Sequence, residues 1–302
     1  MKLPFQVSKT WNLGIFKEKQ PFDIVHGAKP GNLVFTLSGR KLRTRYKHVA
    51  TYADPFLFQN DGKLFLFAEA QPIGEVGYIH CWQYIKDSKW QDIGPVLKET
   101  QHHSYPFIFK DTDGKIYMLP ESHQSKEISL WELSNFPLGL KKVKTILQGA
   151  YVDSNIILNN GTYYLFTKND KHELLIFYSK NLLSGEWTAH KANPVTNDLK
   201  FSRNGGGVIM HENKLIRVAQ DCASMYGGGI VILSVDKLDE NEYCESVLED
   251  DYRPVHNYIW QRKGRHHLSL CNFNGNTFVA MDGFADNLFI NFIINGIYKI
   301  LR

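Results

Sequence analysis

Apolar and polar positions alternate along this chain in short runs, and one arrangement of them returns about every fifty residues. A polar residue opens an apolar run, a Gly- or Asn-centred turn follows, and a second apolar run closes the unit. The clearest copies run from Asp54 through Gly62 to Phe67, from Tyr105 through Gly114 to Leu119, and from Asp153 through Gly161 to Phe166. Two weaker copies run from Asn204 through Asn213 to Arg217 and from His256 through Gly264 to Leu270. A repeat of that length built from an apolar run, a turn and another apolar run is a β-hairpin unit. Each unit extends into further strand-like stretches: 77–85 and 90–97 after the first, 127–133 and 142–147 after the second. The third continues through 174–178 and 187–190, and the fourth through 229–235 and 243–248.

Four antiparallel strands make a propeller blade, so the pattern predicts an all-β, five-bladed β-propeller filling 1–302 as a single domain, with blades starting near 54, 105, 153, 204 and 256. Alternation within the strands is imperfect, as expected where a strand is buried on both faces between neighbouring blades. The first fifty residues hold strand-like pieces at 11–16 and 33–37 that belong to no complete unit, and 277–281 and 288–294 end the chain in the same way. These ends are expected to meet and close the ring, because an open ring leaves unpaired strand edges. Helical periodicity is absent over any long window.

Composition narrows the functional classes. Apolar residues make up 43% and charged ones 22%, and a 13% aromatic share suits pleated, half-buried strands. The formal charge of +4 is mild. The basic run 262–267 is expected on the turn of the fifth hairpin as a solvated loop, so no nucleic-acid partner is predicted. Cys81, Cys222, Cys244 and Cys271 show no metal-ligand spacing and read as reduced thiols. The start of the sequence lacks the apolar stretch of a signal peptide, and no apolar run is long enough to span a bilayer, so a cytoplasmic location without a membrane span is expected. No cofactor or metal ligand set is predicted. The Gly-rich stretches 203–207 and 226–229 do not lead from a strand into a helix, and the pairs His102-His103 and His266-His267 lack the spacing of a helical zinc site.

Propeller geometry selects the candidate chemistry. Residues that open the innermost strand of each blade and residues that close the second strand converge on one rim of the central channel. The openers are Asp54, His103 with Tyr105, Asp153, Arg203 with Asn204, and His256; the closers are Glu69, Glu121, Lys168, and Gln220 with Asp221. Any one of these is ordinary for the solvated end of a sheet. Together they gather several carboxylates at one concavity, where crowding separates their pKa values into a proton donor and a base. Glycoside hydrolysis uses such a set: one acid protonates the leaving oxygen and another activates water or attacks carbon. Arg203 suits a carboxylate, a phosphate or a sugar hydroxyl.

The chain resembles the five-bladed propeller glycoside hydrolases, which include arabinanases, xylosidases, levansucrases and invertases. It is more closely similar to the N-terminal propeller of glucosamine inositolphosphorylceramide transferases and related bacterial surface-polysaccharide proteins. The stretches that carry the resemblance are Tyr52-Ala-Asp54-Pro55-Phe with Phe67-Ala-Glu69, His103-Ser-Tyr-Pro-Phe with Pro120-Glu121-Ser122, and Val152-Asp153-Ser154. Beyond these come Ser202-Arg203, Arg217-Val-Ala-Gln220-Asp221-Cys222, Tyr226-Gly227 and Met281-Asp282-Gly283. The resemblance implies that Asp54 acts as base or nucleophile and that Asp153 tunes pKa and orients substrate. It implies Arg217, Tyr226 and Asp282 as further ligand contacts beside His103, Tyr105, Lys168, Arg203, Gln220, Asp221 and His256. The general-acid Glu that the hydrolases carry at the opening of blade four is replaced here by Arg203, leaving Glu69 or Glu121 to supply the proton. Three readings follow: an enzyme acting on a carbohydrate or sugar nucleotide, a glycan-binding propeller serving a separate glycosyltransferase, and a scaffold for protein partners.

Overall fold

The structure is a computed structural model and describes residues 10–38, 49–72 and 74–285. These form five four-stranded antiparallel blades in a propeller. Blade I comprises Val49–Asn60, Lys63–Pro72, Tyr78–Lys86 and Lys89–Leu97. Blade II comprises Ser104–Lys110, Ile116–Glu121, Glu127–Asn135 and Leu138–Gln148. Blade III comprises Tyr151–Asn159, Thr162–Asn169, Leu174–Ser179 and the short Thr188–Ala189. In blade IV the inner strand is split by three glycines into Arg203–Asn204 and Ile209–His211, both paired with Lys214–Asp221, and Gly229–Leu238 and Tyr243–Glu249 follow. No helix among the described residues is long and apolar enough to cross a membrane.

Blade V corrects the expectation from the repeat. The stretch 256–267 is not a hairpin arm: it is a loop containing the short 3-10 turn Ile259–Gln261. The inner strand is Leu268–Phe273, and it turns through Asn274-Gly275 into Asn276–Phe284. Both turn residues lie at positive φ, 50° and 68°, the backbone that a two-residue hairpin of matching twist requires. The chain start supplies the outer half of this blade. Trp11–Lys19 pairs antiparallel with Asn276–Phe284, Trp11 opposite Phe284 and Lys19 opposite Asn276, and Leu33–Ser38 lies outside it. The ring is therefore closed by the two ends of the chain, as expected; the stretch 288–294 lies outside the described residues.

Apolar side chains fill the wedges between blades. Phe56, Phe67, Tyr117, Leu119 and Leu165 join blades I to III, and Leu13, Ile15, Leu66 and Phe278 join blade V to blade I. Phe16, Ile216, Ile232 and Met281 join blades IV and V. Around the axis, the inner strands are tied directly to one another. Tyr105 Oη donates to Gly206 O at 2.7 Å and to Asn155 Oδ1 at 3.1 Å, so one phenol of blade II links blades III and IV. The Leu57 amide donates to Ser269 Oγ at 3.0 Å between blades I and V.

The inner strands of blades I, II and III share a bulge that positions the site. Pairing with the second strand skips between Ala53 and Phe56, between Ser104 and Phe107, and between Val152 and Asn155. At each skip the first extra residue is left-handed: Asp54 at φ 52°, Tyr105 at φ 43° and Asp153 at φ 51°. A bulge re-aims a side chain, and non-glycine left-handed residues persist only where the surroundings hold them.

Candidate active site

The bulges bring Asp54 and Asp153 into one buried cluster. Asp54 is 6% exposed and Asp153 2%. Asp54 is held by blades II and V: its Oδ2 accepts the Tyr105 amide at 3.3 Å, and its own amide donates to Asp282 Oδ2 at 3.0 Å. Two imidazoles stand beside it, His267 Nδ1 at 3.6 Å and His266 Nε2 at 3.8 Å from Oδ1. Burial alone would raise the Asp54 carboxyl, but the close approach of the His267 ring and the charges of His266, His267 and Arg203 outweigh it and hold the group down at about 2.

Asp282 is the anchor of this half of the cluster. It is fully buried, its Oδ1 accepts the amides of His266 and His267 at 3.0 Å each, and its Oδ2 lies 2.6 Å from His266 Nδ1. Burial opposes protonation of His266, and the Asp282 carboxylate overrides it, raising the imidazole above its ordinary value. Asp54, His266 and Asp282 place one ligand atom each within 4.8 Å of one another, a donor set that would suit a cation.

Asp153 holds the other half. Its Oδ2 accepts from Arg203 Nε at 2.5 Å and from Gln220 Nε2 at 2.9 Å, and its carbonyl accepts from Asn204 Nδ2 at 2.7 Å. Arg203 also lies over the Tyr226 ring, 4.9 Å from its centroid. Glu121 is pushed well above the ordinary carboxyl range, first by burial and then by the Asp153 charge. Glu69, 7% exposed and 3.3 Å from His102 Nε2, is likewise driven well up by burial and by the charges of Asp54, Asp282 and Asp153. Lys168 is buried at the end of its strand, its ammonium lowered by burial and by the like charge of Arg203.

The cluster therefore gathers Asp54, Glu69, Glu121, Asp153, Lys168, Arg203, Gln220, Tyr226 and Asp282. Tyr105 is wholly buried beneath it as a tie between blades. Other expected contacts lie elsewhere. Arg217 is wholly buried inside blade IV, its guanidinium bound twice to Glu245 at 2.7 Å and to Phe201 O at 2.9 Å. His103 turns to Glu99, 3.1 Å away, and lines a concavity on blade II with Trp131. Asp221 lines a different hollow beside blade V, and His256 is exposed on the loop that replaces the expected fifth hairpin.

The corresponding residues missed by the repeat are His266 and His267, buried at 1% and 0% exposure where a solvated basic loop was expected. They directly precede the true inner strand of blade V, the position that His103 occupies in blade II. The Asn274-Gly275 turn was the signal that would have set this register. Trp11 adds a wall that only the closed ring provides, stacking on the His266 ring at 3.8 Å between centroids and 10° between planes.

The fold and this cluster define a five-bladed propeller with a carboxylate-, imidazole- and guanidinium-lined site on its axis. Residues 31–284 match the family described as "Glucosamine inositolphosphorylceramide transferase 1, N-terminal", and the chain belongs to that family. It is 34% identical over 244 residues to glucosamine inositolphosphorylceramide transferase 1 of Arabidopsis thaliana, covering 76% of this chain and 31% of that protein. It is 30% identical over 301 residues to the protein of the same name in Oryza sativa subsp. japonica, covering 91% of this chain and 40% of that one. The chain thus spans less than half the length of these curated relatives. Among solved structures, a thermostable family-43 glycoside hydrolase superposes with a TM-score of 0.58 at 15% identity, over 76% of this chain and 85% of that chain. The exo-beta-1,3-galactanase 1,3Gal43A of Clostridium thermocellum superposes at 0.56 and 16% identity, over 85% of this chain and 64% of that one. At these identities the likeness is one of fold.

Proposed function

We propose that the axial pit binds a glycan and acts on a bond to one of its sugars, by hydrolysis or by glycosyl transfer, in glycan or surface-polysaccharide metabolism. One arrangement carries this reading: the same pit gathers a carboxyl held well below its ordinary range, Asp54, and two pushed well above it, Glu121 and Glu69. Acid–base chemistry on a glycosidic bond at neutral pH requires that split. In this reading Asp54 is the base or nucleophile, Glu121 is the proton donor, and Asp153, fixed by Arg203 and Gln220, sets the Glu121 proton affinity. Lys168, Arg203 and the half-exposed Tyr226 take the sugar hydroxyls and ring face. The carbohydrate named for the matched family and for the family-43 neighbours supports the substrate class.

A second reading has its own observation. Arg203 stands where the resembled hydrolases open blade four with an acid, and it is already paired with Asp153. A pit so neutralised suits glycan binding on behalf of a separate transferase. A panel of aryl glycosides and nucleotide sugars, tested with wild type and Asp54→Asn, separates the two. Asn tolerates left-handed backbone, so the variant keeps the bulge. The enzyme reading expects a substrate whose turnover falls about 10³-fold or more in the variant while binding persists. Binding without turnover of any member replaces it with the second reading, and no binding at all removes both.

A further inference from the structure

Beside the pit, between blades IV and V, lies a second concavity of about 380 Å³. Adjacent residues divide between the two sites. Gln220 and His266 belong to the pit, and their chain neighbours Asp221 and Arg265 line the concavity. Its cations are Lys200, Arg253, Arg262, Lys263 and Arg265, facing the three carboxylates Asp221, Asp250 and Asp251. The carboxylates are already in use. Asp250 pairs with Lys200 at 2.5 Å, and the single Asp251 serves both Arg253 and Arg265, the latter at 2.8 Å. Asp221 Oδ1 accepts the Ala223 amide at 2.9 Å.

Arg265 is the informative member. It is 7% exposed, and its Nε is buried with no acceptor among the described residues. A buried guanidinium sharing its counter-ion with a second one is under-compensated, since an unpaired buried donor loses its hydration without replacement. Burial and the like charge of Arg253 accordingly lower it to about 10. The proposed chemistry of the pit makes no use of these groups.

We propose that this concavity holds an oxyanion, phosphate or carboxylate, carried by the same ligand whose sugar occupies the pit. The guanidinium forks of Arg253, Arg262 and Arg265 match either anion in geometry and charge. The link to the sugar rests on the function proposed above; the anion site does not. The ligand class is then a glycan with a phosphoester or a uronate on or next to the reacting residue.

Calorimetric titration of the full chain with inorganic phosphate, acetate, glucose and glucose 1-phosphate, at constant ionic strength, tests both parts. Wild type is expected to bind phosphate or acetate, the preferred one naming the anion. Arg262→Ala/Lys263→Ala, at two exposed positions, is expected to weaken that binding about tenfold. Asp251→Asn removes the competing carboxylate and is expected to tighten it, a gain that a merely destabilised protein does not show. Absence of binding by both anions, or binding indifferent to all three substitutions, overturns the anion site and leaves the sugar reading untouched. If glucose and phosphate each bind but glucose 1-phosphate binds no tighter than phosphate, the link between the sites is overturned. Phosphate binding without glucose binding instead counts against the sugar reading and keeps the anion site.

Discussion

Glu121 and Asp54 share one pit, yet the first carboxyl is pushed well above its ordinary value and the second is held below it, which gives the site a pH signature of predictable sign. Glu121 and Glu69 hold their protons more tightly folded than unfolded. Their contribution to stability is therefore complete below the ordinary value of 4.5 and is lost as pH climbs toward their raised folded values. His266 has the same sign, with its loss beginning above 6.5. Asp54 is opposite: its contribution is present above 3.8 and is lost as pH falls toward about 2. Glu121→Gln removes one of these titrating carboxyls, so it is expected to flatten the decline in stability as pH rises above 4.5, read as urea midpoints at a series of pH values. In turnover the same change is expected to lose about 10²- to 10⁴-fold on an unactivated glycoside and far less on an aryl glycoside whose leaving group needs no proton. Equal losses on both substrates would remove Glu121 as the proton donor. Asp54 and the two glutamates were legible in the sequence because hairpin ends must converge in a propeller. Arg217 was misplaced because strand position does not say which face a long side chain takes, and Glu245 on the outermost strand of the blade claims it at 2.7 Å.

At the scale of the element, the site depends on inner strands that depart from regular pairing. A regular strand at Asp54 or Asp153 would send alternate side chains into the wedges between blades, where apolar residues are needed. The bulge adds one residue, and the left-handed φ turns the carboxylate toward the axis. Blade IV reaches the same end differently, breaking its inner strand at Gly205-Gly206-Gly207. A Cβ on Gly206 would sit 2.1 Å from Leu268 O, which is backbone and cannot yield cheaply. Tyr105 exploits the bare glycine, donating to its carbonyl while the Gly206 amide approaches Oη at 3.2 Å. Tyr105→Phe deletes the hydroxyl that three inner strands share and leaves buried groups unpaired, so a loss of about 1–3 kcal/mol is expected in chemical denaturation. A variant as stable as wild type would show that the blades are held by their apolar wedges alone. The openers of these strands could be read as special from their composition, a carboxylate where Val or Leu suits the blade. The bulge itself could not, because no residue pattern distinguishes an extra residue from the next step of alternation.

For the molecule as a whole, the decisive contact is between the two ends of the chain. Four blades are nearly continuous in sequence and carry their own turns, which is why the period was readable from Asp54 to the end of blade IV. Blade V is assembled from distant pieces, and the repeat offered a false opener at His256, whose apolar neighbours Tyr258 and Trp260 pack on Phe16 and beneath Gly14 rather than in a strand. That displacement hid His266 and His267, and with them the partners that fix the Asp54 charge. It also means that closure and chemistry are one property here. Trp11, on the strand that closes the ring opposite Phe284, stacks on His266, and His266 is pinned by Asp282 on the strand between them. Deleting residues 1 to 20 removes that whole strand. It exposes the edge of Asn276–Phe284 and the apolar faces of blades I and IV that pack against Leu13, Ile15 and Phe16. The truncated chain is expected to aggregate or to lose its sharp unfolding transition by size-exclusion chromatography and thermal melting. Trp11→Ala separates the two roles, since it keeps the strand and its ladder. It is expected to leave the protein monodisperse while loosening His266, seen as a lowered titration midpoint of that imidazole by NMR. A truncation that stays folded would mean the ring is held without its clasp, and an unmoved His266 in Trp11→Ala would mean that Asp282 alone orients it.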